Sequence, residues 1–556
     1  MVLVRTESES LSRIPRRVQT LIPAGDVPVL HSSAGGSTVR AMEGNRGRAS
    51  RCREPGVTGG RRSRGAEAAA RDERREPERS VTGGEDGDGL QANSVTEGEA
   101  NERVEQGGQQ ERSEDSVTGG RRSRGAEVWK LCALLLGLFV AACDRSESDA
   151  TQDFTVGVCH VRSFENAEIA AEAGATSIRN TISWRALDPA GSGVVVPKAQ
   201  QERQKDARRL GLKLLTPIAY SHPLYDGGGY PVSEKSVTAY AQASAFAAAA
   251  LRHPQPVFEI WNEWNLGIGM PAEAGKGAPR DYVRLLSAAY DVMKKKPHPP
   301  TVLGGVMAGA GLTDDWLEQA CEAGMLRHLD GLSFHPYCYW MEGLKVLPEQ
   351  GMLWLIRSLE EIVDRYPGGA RVPLYLTEIG WPTYEGDGGV SLDEQAQFAA
   401  RTLLLARANR RIRGVWWFNL RDRDSSSDRM NDRFGLLFSD GTPKPAFFAF
   451  RDTARLLGNV VDARHERLGG TVHAMRLTLR DGRHAIACWV ARPNVQARIE
   501  VATTKPGIAS VQLIGSGMER RAEESKGRIV VSVGNMPVVL FGVDEDAALQ
   551  PTVVGR

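Results

Sequence analysis

The sequence predicts an α/β fold, a (β/α)8 TIM barrel followed by a small all-β sandwich, behind a disordered N-terminal leader. Three observations predict it. Between residues 154 and 455, eight short apolar runs alternate with longer amphipathic stretches, which is typical of a parallel sheet with helical crossovers. From 456 to 545 only short alternating runs remain. Before Trp129 the chain contains no Phe, Tyr or Trp.

The barrel prediction depends on the number of apolar runs and on their spacing. The candidate strands are 154–161, 176–180, 213–218, 257–261, 301–305, 331–335, 374–377 and 414–419. Eight such units fit a (β/α)8 barrel, which typically takes about 250 residues before insertions. An open doubly wound sheet is the alternative, but it usually carries a glycine-rich phosphate loop after its first strand. The first run here leads into 157–162, which is not such a loop.

The region 456–545 has no helical pattern of useful length. Its short alternating runs are broken by Gly, Asp and Pro. This pattern predicts a small antiparallel β-sandwich packed on the barrel, with its apolar positions forming a core.

The leader, 1–127, is rich in Arg, Glu, Gly and Ser. Such a segment cannot bury enough apolar surface to offset its ordering entropy, so we expect disorder. An eleven-residue segment occurs at 57–67 and again at 117–127, but no apolar pattern between the copies indicates a solenoid. The whole chain has 70 basic and 69 acidic residues, so its charge gives no field to attract nucleic acid, and no nucleic-acid partner is expected.

The segment 128–143 contains an apolar run that is too short to span a bilayer, which takes about 20 residues. It fits the hydrophobic part of an export signal with small residues before the cut. Val140-Ala141-Ala142-Cys143 resembles the lipobox of bacterial lipoproteins. The resemblance implies cleavage before Cys143, lipidation of its thiol, and a membrane-anchored protein in the periplasm or at the cell surface, tethered by 144–153. A signal cut elsewhere and a chance apolar patch are the alternatives.

Export signals stand at the N-terminus, so a long leader before one is unexpected. The interpretation is that the leader is a mis-assigned start and that Val128 is the initiator. Four cysteines follow the signal, namely Cys159, Cys321, Cys338 and Cys488. They contain no C-x-x-C pair, which argues against a metal knuckle, and any disulfide pairing stays open.

Two of the apolar runs end in a Glu beside a Trp. Glu263 follows the fourth run between Trp261 and Trp264, and Glu378 ends the seventh run before Trp381. The carboxyl ends of barrel strands meet at one mouth, and strands four and seven lie across it from each other. Cleavage of a glycosidic bond requires one carboxylic acid and one carboxylate on opposite sides of a sugar. The pair therefore predicts a catalytic site, whereas either Glu alone could be a surface charge or a helix cap.

These motifs carry a family resemblance. Trp261-Asn262-Glu263 and Thr377-Glu378-Ile379-Gly380-Trp381 resemble the acid/base and nucleophile motifs of clan A glycoside hydrolases. More narrowly, 154–545 resembles the family 39 group and bacterial exopolysaccharide glycosidases. Further matches are 330–337, 415–418, 434–437 and 444–446. The resemblance implies a retaining hydrolase in which Glu263 is the general acid/base and Glu378 is the nucleophile.

Five further residues are substrate-site candidates. We expect Asn262 to bind a sugar 2-hydroxyl, or else to cap a turn. Arg179 ends the second strand and is expected to support Glu378, or else to pair with another core acid, because an inward charge is costly unless paired.

Two of the remaining candidates leave strand six, and the third lies on strand eight. Tyr337 is expected to donate to the nucleophile. His335 is expected to contact sugar or the acid, or else to be a satisfied buried histidine. Trp417 is expected to form a hydrophobic floor for the sugar, or else to be a core tryptophan.

The predicted function is a polysaccharide-cleaving glycosidase. Gly-rich loops and aromatic residues after the strand ends suit an open cleft, which would favour internal cleavage over trimming from chain ends. The alternatives are an exo-acting β-xylosidase-like enzyme, a non-catalytic polysaccharide-binding surface lipoprotein, and a transglycosylase. No His, Asp and Glu cluster has metal spacing in the sequence, so no metal and no cofactor are expected. A monomer is expected.

Overall fold

The computed structural model describes residues 154–191, 193–252, 256–503 and 509–554. The predicted leader, signal segment and tether lie outside these residues, as does the lipidation candidate Cys143. Within the described residues, no helix is both long and apolar enough to cross a membrane. In this described part of the chain, all four cysteines are buried and free of disulfide bonds; they are Cys159, Cys321, Cys338 and Cys488.

Eight parallel strands form a closed barrel, which confirms the predicted fold. They are β1 (Thr155–Cys159), β2 (Ser177–Arg179), β3 (Lys213–Ala219), β4 (Val257–Ile260), β5 (Thr301–Ala308), β6 (Gly331–His335), β7 (Leu374–Ile379) and β8 (Ile412–Trp417). Each strand pairs with the next, and β1 pairs with β8, so the sheet closes. A two-residue strand, Ile182–Ser183, pairs in addition with β3.

Helices connect the strands and cover the barrel. They are α1 (Phe164–Glu172), α2 (Trp184–Leu187), α3 (Lys198–Arg209), α4 (Glu234–Ala250), α5 (Pro279–Lys294), α6 (Trp316–Glu322), α7 (Leu353–Val363), α8 (Leu392–Ala408) and α9 (Pro445–Leu457). Local sequence explains where several begin. Ser391 and Glu394 form a capping box at the start of α8, which satisfies two of the amide groups that a helix start leaves unpaired. Pro279 and Pro445 stand at first helical positions, where a missing amide hydrogen costs nothing.

Among the described residues, ten antiparallel strands form the predicted sandwich. They are β9 (Val460–Gly469), β10 (Val472–Leu479), β11 (His484–Val490), β12 (Ala497–Ala502), β13 (Ser510–Leu513), β14 (Glu519–Arg521), β15 (Glu524–Ser525), β16 (Arg528–Val533), β17 (Val538–Phe541) and β18 (Leu549–Val553). One sheet has the order β9-β10-β11-β17-β13-β14 and the other β15-β16-β12-β18. Strict alternation of exposed and buried residues in β16 shows that one face of its sheet is packed. Strand β18 lies after residue 545, where the sequence predicts the sandwich to end.

A buried cluster joins the sandwich to the barrel. Glu349 precedes α7 and accepts hydrogen bonds from Arg401 of α8 (Nε to Oε1, 2.7 Å) and from the indole nitrogen of Trp489 in β11 (2.7 Å). His465 and His473 stack with Trp489, the ring centroids lying 5.9 and 5.5 Å away. Since a buried carboxylate is tolerated only when it is paired, this cluster fixes the sandwich against α8.

Candidate active site

Glu263 is delivered by a sharp turn after β4. Trp261 and Glu263 both have positive φ angles, of 73° and 47°, a region that residues other than glycine rarely adopt and that is over-represented at functional sites. The amide of Glu263 donates to the carbonyl of Val306 (2.8 Å), which secures the turn against the neighbouring strand β5. Glu263 is 9% exposed, so its carboxyl lies in the mouth but largely out of water.

Glu378 reaches the same place from within β7 and is 8% exposed. One carboxylate oxygen of Glu263, one of Glu378 and a ring nitrogen of His335 all lie within 4.8 Å of one another. Retaining glycosidases hold their two carboxyl groups about 5–5.5 Å apart, and inverting enzymes leave about 6.5–9.5 Å for a water. The observed spacing matches the retaining arrangement, as the sequence predicts for this pair.

The surroundings of Glu378 favour its ionised form. The guanidinium of Arg179 donates to Oε1 through Nη1, and the hydroxyl of Tyr337 donates to Oε2 at 2.9 Å. Burial alone would raise the pKa of Glu378, but the positive charges of His335 and Arg179 outweigh it and lower this pKa to about 2. Glu378 is therefore a carboxylate at neutral pH, which is the form that can attack a carbon atom.

Arg179 satisfies both alternatives that the sequence left open. Its Nη1 donates to Glu378, its Nε to Oε2 of Glu259 at 2.6 Å, and its Nη2 to Oδ1 of Asn262 at 2.9 Å. It is 2% exposed. A fork of donors with fixed geometry is what guanidinium offers and ammonium does not, so Arg179 sets the relative positions of three polar side chains.

His335 bridges the two carboxylates. Its Nδ1 lies 2.8 Å from Oε1 of Glu263 and 3.9 Å from Oε2 of Glu378, and its Nε2 lies 3.1 Å from the hydroxyl of Thr377. The ring is fully buried. Burial acts to lower the pKa of His335, but the negative charges of Glu378 and Glu263 outweigh it, so this pKa is raised overall. His335 thus contacts the predicted acid, and it is also a satisfied buried histidine.

The other candidates fall into two groups. Asn262 and Tyr337 lie in the cluster, where Asn262 is oriented by Arg179 and Tyr337 by Glu378. Trp417 is fully buried, packs on Trp381 with ring centroids 5.9 Å apart, and has an unpartnered indole nitrogen. This position favours the core alternative for Trp417.

Several residues of the site were not identified from the sequence. His160 follows β1 with a φ of 61°, and its ring meets Phe418 edge-on at 4.9 Å. Desolvation, the largest effect, lowers the pKa of His160 to about 4, so the ring is neutral. Phe418 follows Trp417, is partly exposed, and has a cis peptide bond to Asn419. His160 follows β1 and Phe418 follows β8. A position directly after a barrel strand is the sequence feature that could have identified both residues.

A second group that sequence reasoning missed lies beneath the carboxylates. Glu259, Ser333 and Thr377 point inward from β4, β6 and β7 and are fully buried. Ser333 Oγ donates to Oε1 of Glu259 at 2.5 Å and lies 2.6 Å from Oγ1 of Thr377. A charged residue inside the apolar run 257–261 was the signal for this group, because such a charge requires a partner.

The rim of the mouth is held by a buried ion pair. Lys444 Nζ lies 2.8 Å from Asp422 Oδ1 and donates to Thr383 Oγ1 at 2.9 Å. Asp422 also accepts from the amide of Gly435 at 2.7 Å. These contacts tie the loops after β7 and β8 to the start of α9, which gives the 444–446 motif a structural role.

Glu263, His335 and Glu378 are also the group of described residues whose ligand-type atoms converge enough for a metal ion. Two features argue against one. Arg179 already pairs with Glu378, and the raised pKa of His335 favours a proton on the ring. Positive charge in these two places would repel a cation.

Comparison with known proteins supports the fold. A family 39 glycoside hydrolase from the gut symbiont Bacteroides cellulosilyticus WH2 superposes with a TM-score of 0.58 and 23% identity, covering 71% of this chain and 82% of that chain. A glucosidase from Croceicoccus marinus gives a TM-score of 0.50 and 14% identity, covering 71% and 96%. The sequence matches no family model, and it has no significant match among curated proteins. The chain therefore shares its fold with glycoside hydrolases, and its activity has to be inferred from the geometry of the site.

Proposed function

We propose that this protein is a retaining glycoside hydrolase that cleaves a polysaccharide by double displacement. One observation carries the proposal. Two buried carboxyl groups face each other with oxygens within 4.8 Å, and their environments differ. Glu378 is held ionised by Arg179 and Tyr337, whereas Glu263 contacts an imidazole of raised pKa. Paired titratable groups in unlike environments are the mark of an acid and a nucleophile.

In the first step, Glu378 attacks the anomeric carbon and forms a bond to it. The glycosidic carbon–oxygen bond breaks, and Glu263 gives its proton to the leaving oxygen. Arg179 and Tyr337 hold the attacking carboxylate in position. The proposed role of Asn262, which Arg179 orients, is to bind the sugar 2-hydroxyl.

In the second step, water attacks the same carbon from the side that the leaving group vacated. Glu263, now a carboxylate, takes a proton from that water, and Glu378 departs as a carboxylate. Two inversions give net retention, and the site returns to its starting protonation. A transglycosylase would follow the same steps with a sugar hydroxyl in place of water.

The geometry favours catalysis over simple binding of a polysaccharide. Burying two carboxyl groups costs free energy, and binding of a polysaccharide does not require two buried carboxyl groups. The proposed substrate is a polysaccharide cut internally, and an exo-acting β-xylosidase-like activity is the rival that a closed pocket would favour.

The proposed location is outside the cytoplasm, with a lipid on Cys143. Support comes from the apolar run and the Val140–Cys143 motif alone. Mass spectrometry of the mature N-terminus tests it: a lipid-modified Cys143 is expected, and a mature protein with an unmodified Cys143 would contradict it.

Activity is tested by incubating the protein with a panel of polysaccharides and reading the anomer of the first-formed product by NMR. Glu263→Gln and Glu378→Gln are compared with Glu202→Gln, which changes an exposed carboxylate on α3 that pairs with Lys205. We expect retained anomeric configuration, loss of turnover in the first two variants, and parent activity in the third. Equal activity in all four proteins would overturn the assignment.

A further inference from the structure

A continuous set of hydrogen bonds leads from Glu259 to Glu263 through the barrel interior. Ser333 donates to Glu259 at 2.5 Å and meets Thr377 at 2.6 Å. Oγ1 of Thr377 lies 3.1 Å from Nε2 of His335, and Nδ1 of His335 lies 2.8 Å from Oε1 of Glu263. Four of these residues are fully buried, namely Glu259, Ser333, Thr377 and His335. Water therefore does not compete for their hydrogen bonds.

The chemistry at one end fixes the direction of every bond. Glu259 is ion-paired with Arg179, and an ionised carboxylate only accepts hydrogen bonds. The single hydroxyl hydrogen of Ser333 therefore goes to Glu259. Ser333 must then accept from Thr377, whose own single hydrogen is used in that bond. Thr377 can consequently only accept from His335, which requires a hydrogen on Nε2.

Because Nε2 carries a hydrogen, the protonation states of the His335 ring and of the Glu263 carboxyl group are linked. If the ring is neutral, Nδ1 is an acceptor, and Glu263 must be a carboxylic acid that donates to it. If the ring is a cation, Nδ1 donates to a Glu263 carboxylate. In both cases one proton lies between Nδ1 and Oε1, where the atoms are 2.8 Å apart.

We propose that Glu259, acting through Ser333 and Thr377, is a positioning residue that keeps Nε2 of His335 protonated and so retains one proton in the His335–Glu263 pair. Resting on the proposed function, this is the proton that the site gives to the leaving oxygen. If that proton were lost to solvent, the lone pairs of Nδ1 and of the Glu263 carboxylate would face each other. The alternative is that every hydrogen bond between His335 and Ser333 reverses its direction, and Ser333 would then no longer donate to Glu259.

The same arrangement serves both steps of the reaction. When the proton goes to the leaving oxygen, Glu263 becomes a carboxylate and faces the lone pair of Nδ1. That contact is repulsive, and it is relieved when Glu263 takes a proton from the attacking water. The charged groups that face His335 are Glu263, Glu378 and Arg179. The raised pKa of His335 agrees with a proton held at this pair.

The tautomer is tested directly by NMR of protein labelled with ¹⁵N in its histidines. The signals of His335 are identified as those absent from a His335→Gln variant. We expect Nε2 of His335 to carry a hydrogen throughout the pH range of activity. A neutral ring with its hydrogen on Nδ1 and a bare Nε2 would overturn the proposal. This readout does not need a known substrate, so it stands even if the chain proves not to be a hydrolase.

The functional consequence is tested by the alkaline limb of the kcat/KM profile, which reports loss of the acid's proton. Thr377→Val removes the acceptor of Nε2, and Ser333→Ala disconnects Glu259 without touching Arg179. Each is expected to shift this limb to lower pH by about one unit, the equivalent of one net hydrogen bond. Two variants are used so that a failure of one to fold leaves the other.

Two controls separate this effect from general disturbance of the core. Thr377→Ser keeps the hydroxyl and should restore the parent limb. Thr402→Val replaces a fully buried threonine of α8 whose hydroxyl has no partner, and it should leave the limb in place. Unchanged limbs in both Thr377→Val and Ser333→Ala, or an equal shift in Thr402→Val, would overturn the proposal. Absence of glycosidase activity in the parent would instead reject the proposed function.

Discussion

Arg179 donates a hydrogen bond from its guanidinium to the carboxylate of Glu378, joining strands β2 and β7 across 199 residues of sequence. The same guanidinium is ion-paired with Glu259, so one buried cation balances two buried anions. Removing one member of such a group leaves an uncompensated charge, which commonly costs about 3–5 kcal/mol.

Replacing Arg179 by Met should therefore lower the free energy of unfolding by about 3–5 kcal/mol, measured by urea denaturation at neutral pH. The control is Arg464→Met, since Arg464 pairs with Glu545 at the surface, where such pairs contribute about 0–1 kcal/mol. Equal losses in the two variants would contradict the role given to Arg179.

The lowered pKa of Glu378 predicts a particular dependence of stability on pH. Its value in the folded state is about 2, below the ordinary value of 4.5. Its contribution is therefore fully present above pH 4.5 and is lost as the pH falls toward 2. Glu378→Gln should remove this part of the acid sensitivity in urea denaturation series. An acid dependence identical to that of the parent would show that Glu378 titrates normally.

Tyr337→Phe removes one donor from the nucleophile and keeps the ring. A hydrogen bond to a charged group contributes about 1.5–3 kcal/mol, so kcat/KM should fall by about 10- to 100-fold. The acid limb of the profile should move to higher pH, because Glu378 would lose a contact that favours its charged form. Tyr375→Phe is the matched control, because Tyr375 is partly exposed and packs on Trp416. A comparable loss in the control would contradict the assignment.

His473 makes the joint between the barrel and the sandwich sensitive to pH. Desolvation, the largest effect, lowers its pKa from 6.5 to about 4. Between these values the unfolded chain binds the proton and the folded one does not, so stability falls as the pH drops from 6.5 to 4. The loss from this group is roughly 3 kcal/mol. His473→Phe, which can still stack on Trp489, should lose less stability over this interval in urea denaturation at the two pH values. An equal loss of stability over this pH interval in the variant and the parent would contradict the role given to His473.

The sequence predicted the barrel and its two carboxylates for a physical reason. Strand ends of a parallel barrel meet at one mouth wherever the strands lie, so Glu263 and Glu378 could be paired without knowing any contact. Which side chains face inward along a strand depends on register and on the barrel's stagger. Ser333 and Thr377 were missed for that reason, and Trp417 could be assigned only as one of two alternatives.

Short and irregular elements were equally hard to predict. Strand β18 contains Pro551 and has mixed exposure, so its sequence does not show the alternation that marks a strand. Similarly, no local sequence pattern predicts the hydrogen bond between Glu349 and Trp489, because this contact joins segments 140 residues apart.

The most direct test of the central claim is to trap the glycosyl intermediate. The parent is incubated with activated 2-deoxy-2-fluoro glycosides of the sugar that the substrate panel identifies, and the digested protein is examined by mass spectrometry. The account predicts one glycosyl adduct, on the peptide that contains Glu378, and no adduct in Glu378→Gln. An adduct on a different carboxylate, or inversion of the anomer in an active protein that forms no adduct, would contradict it.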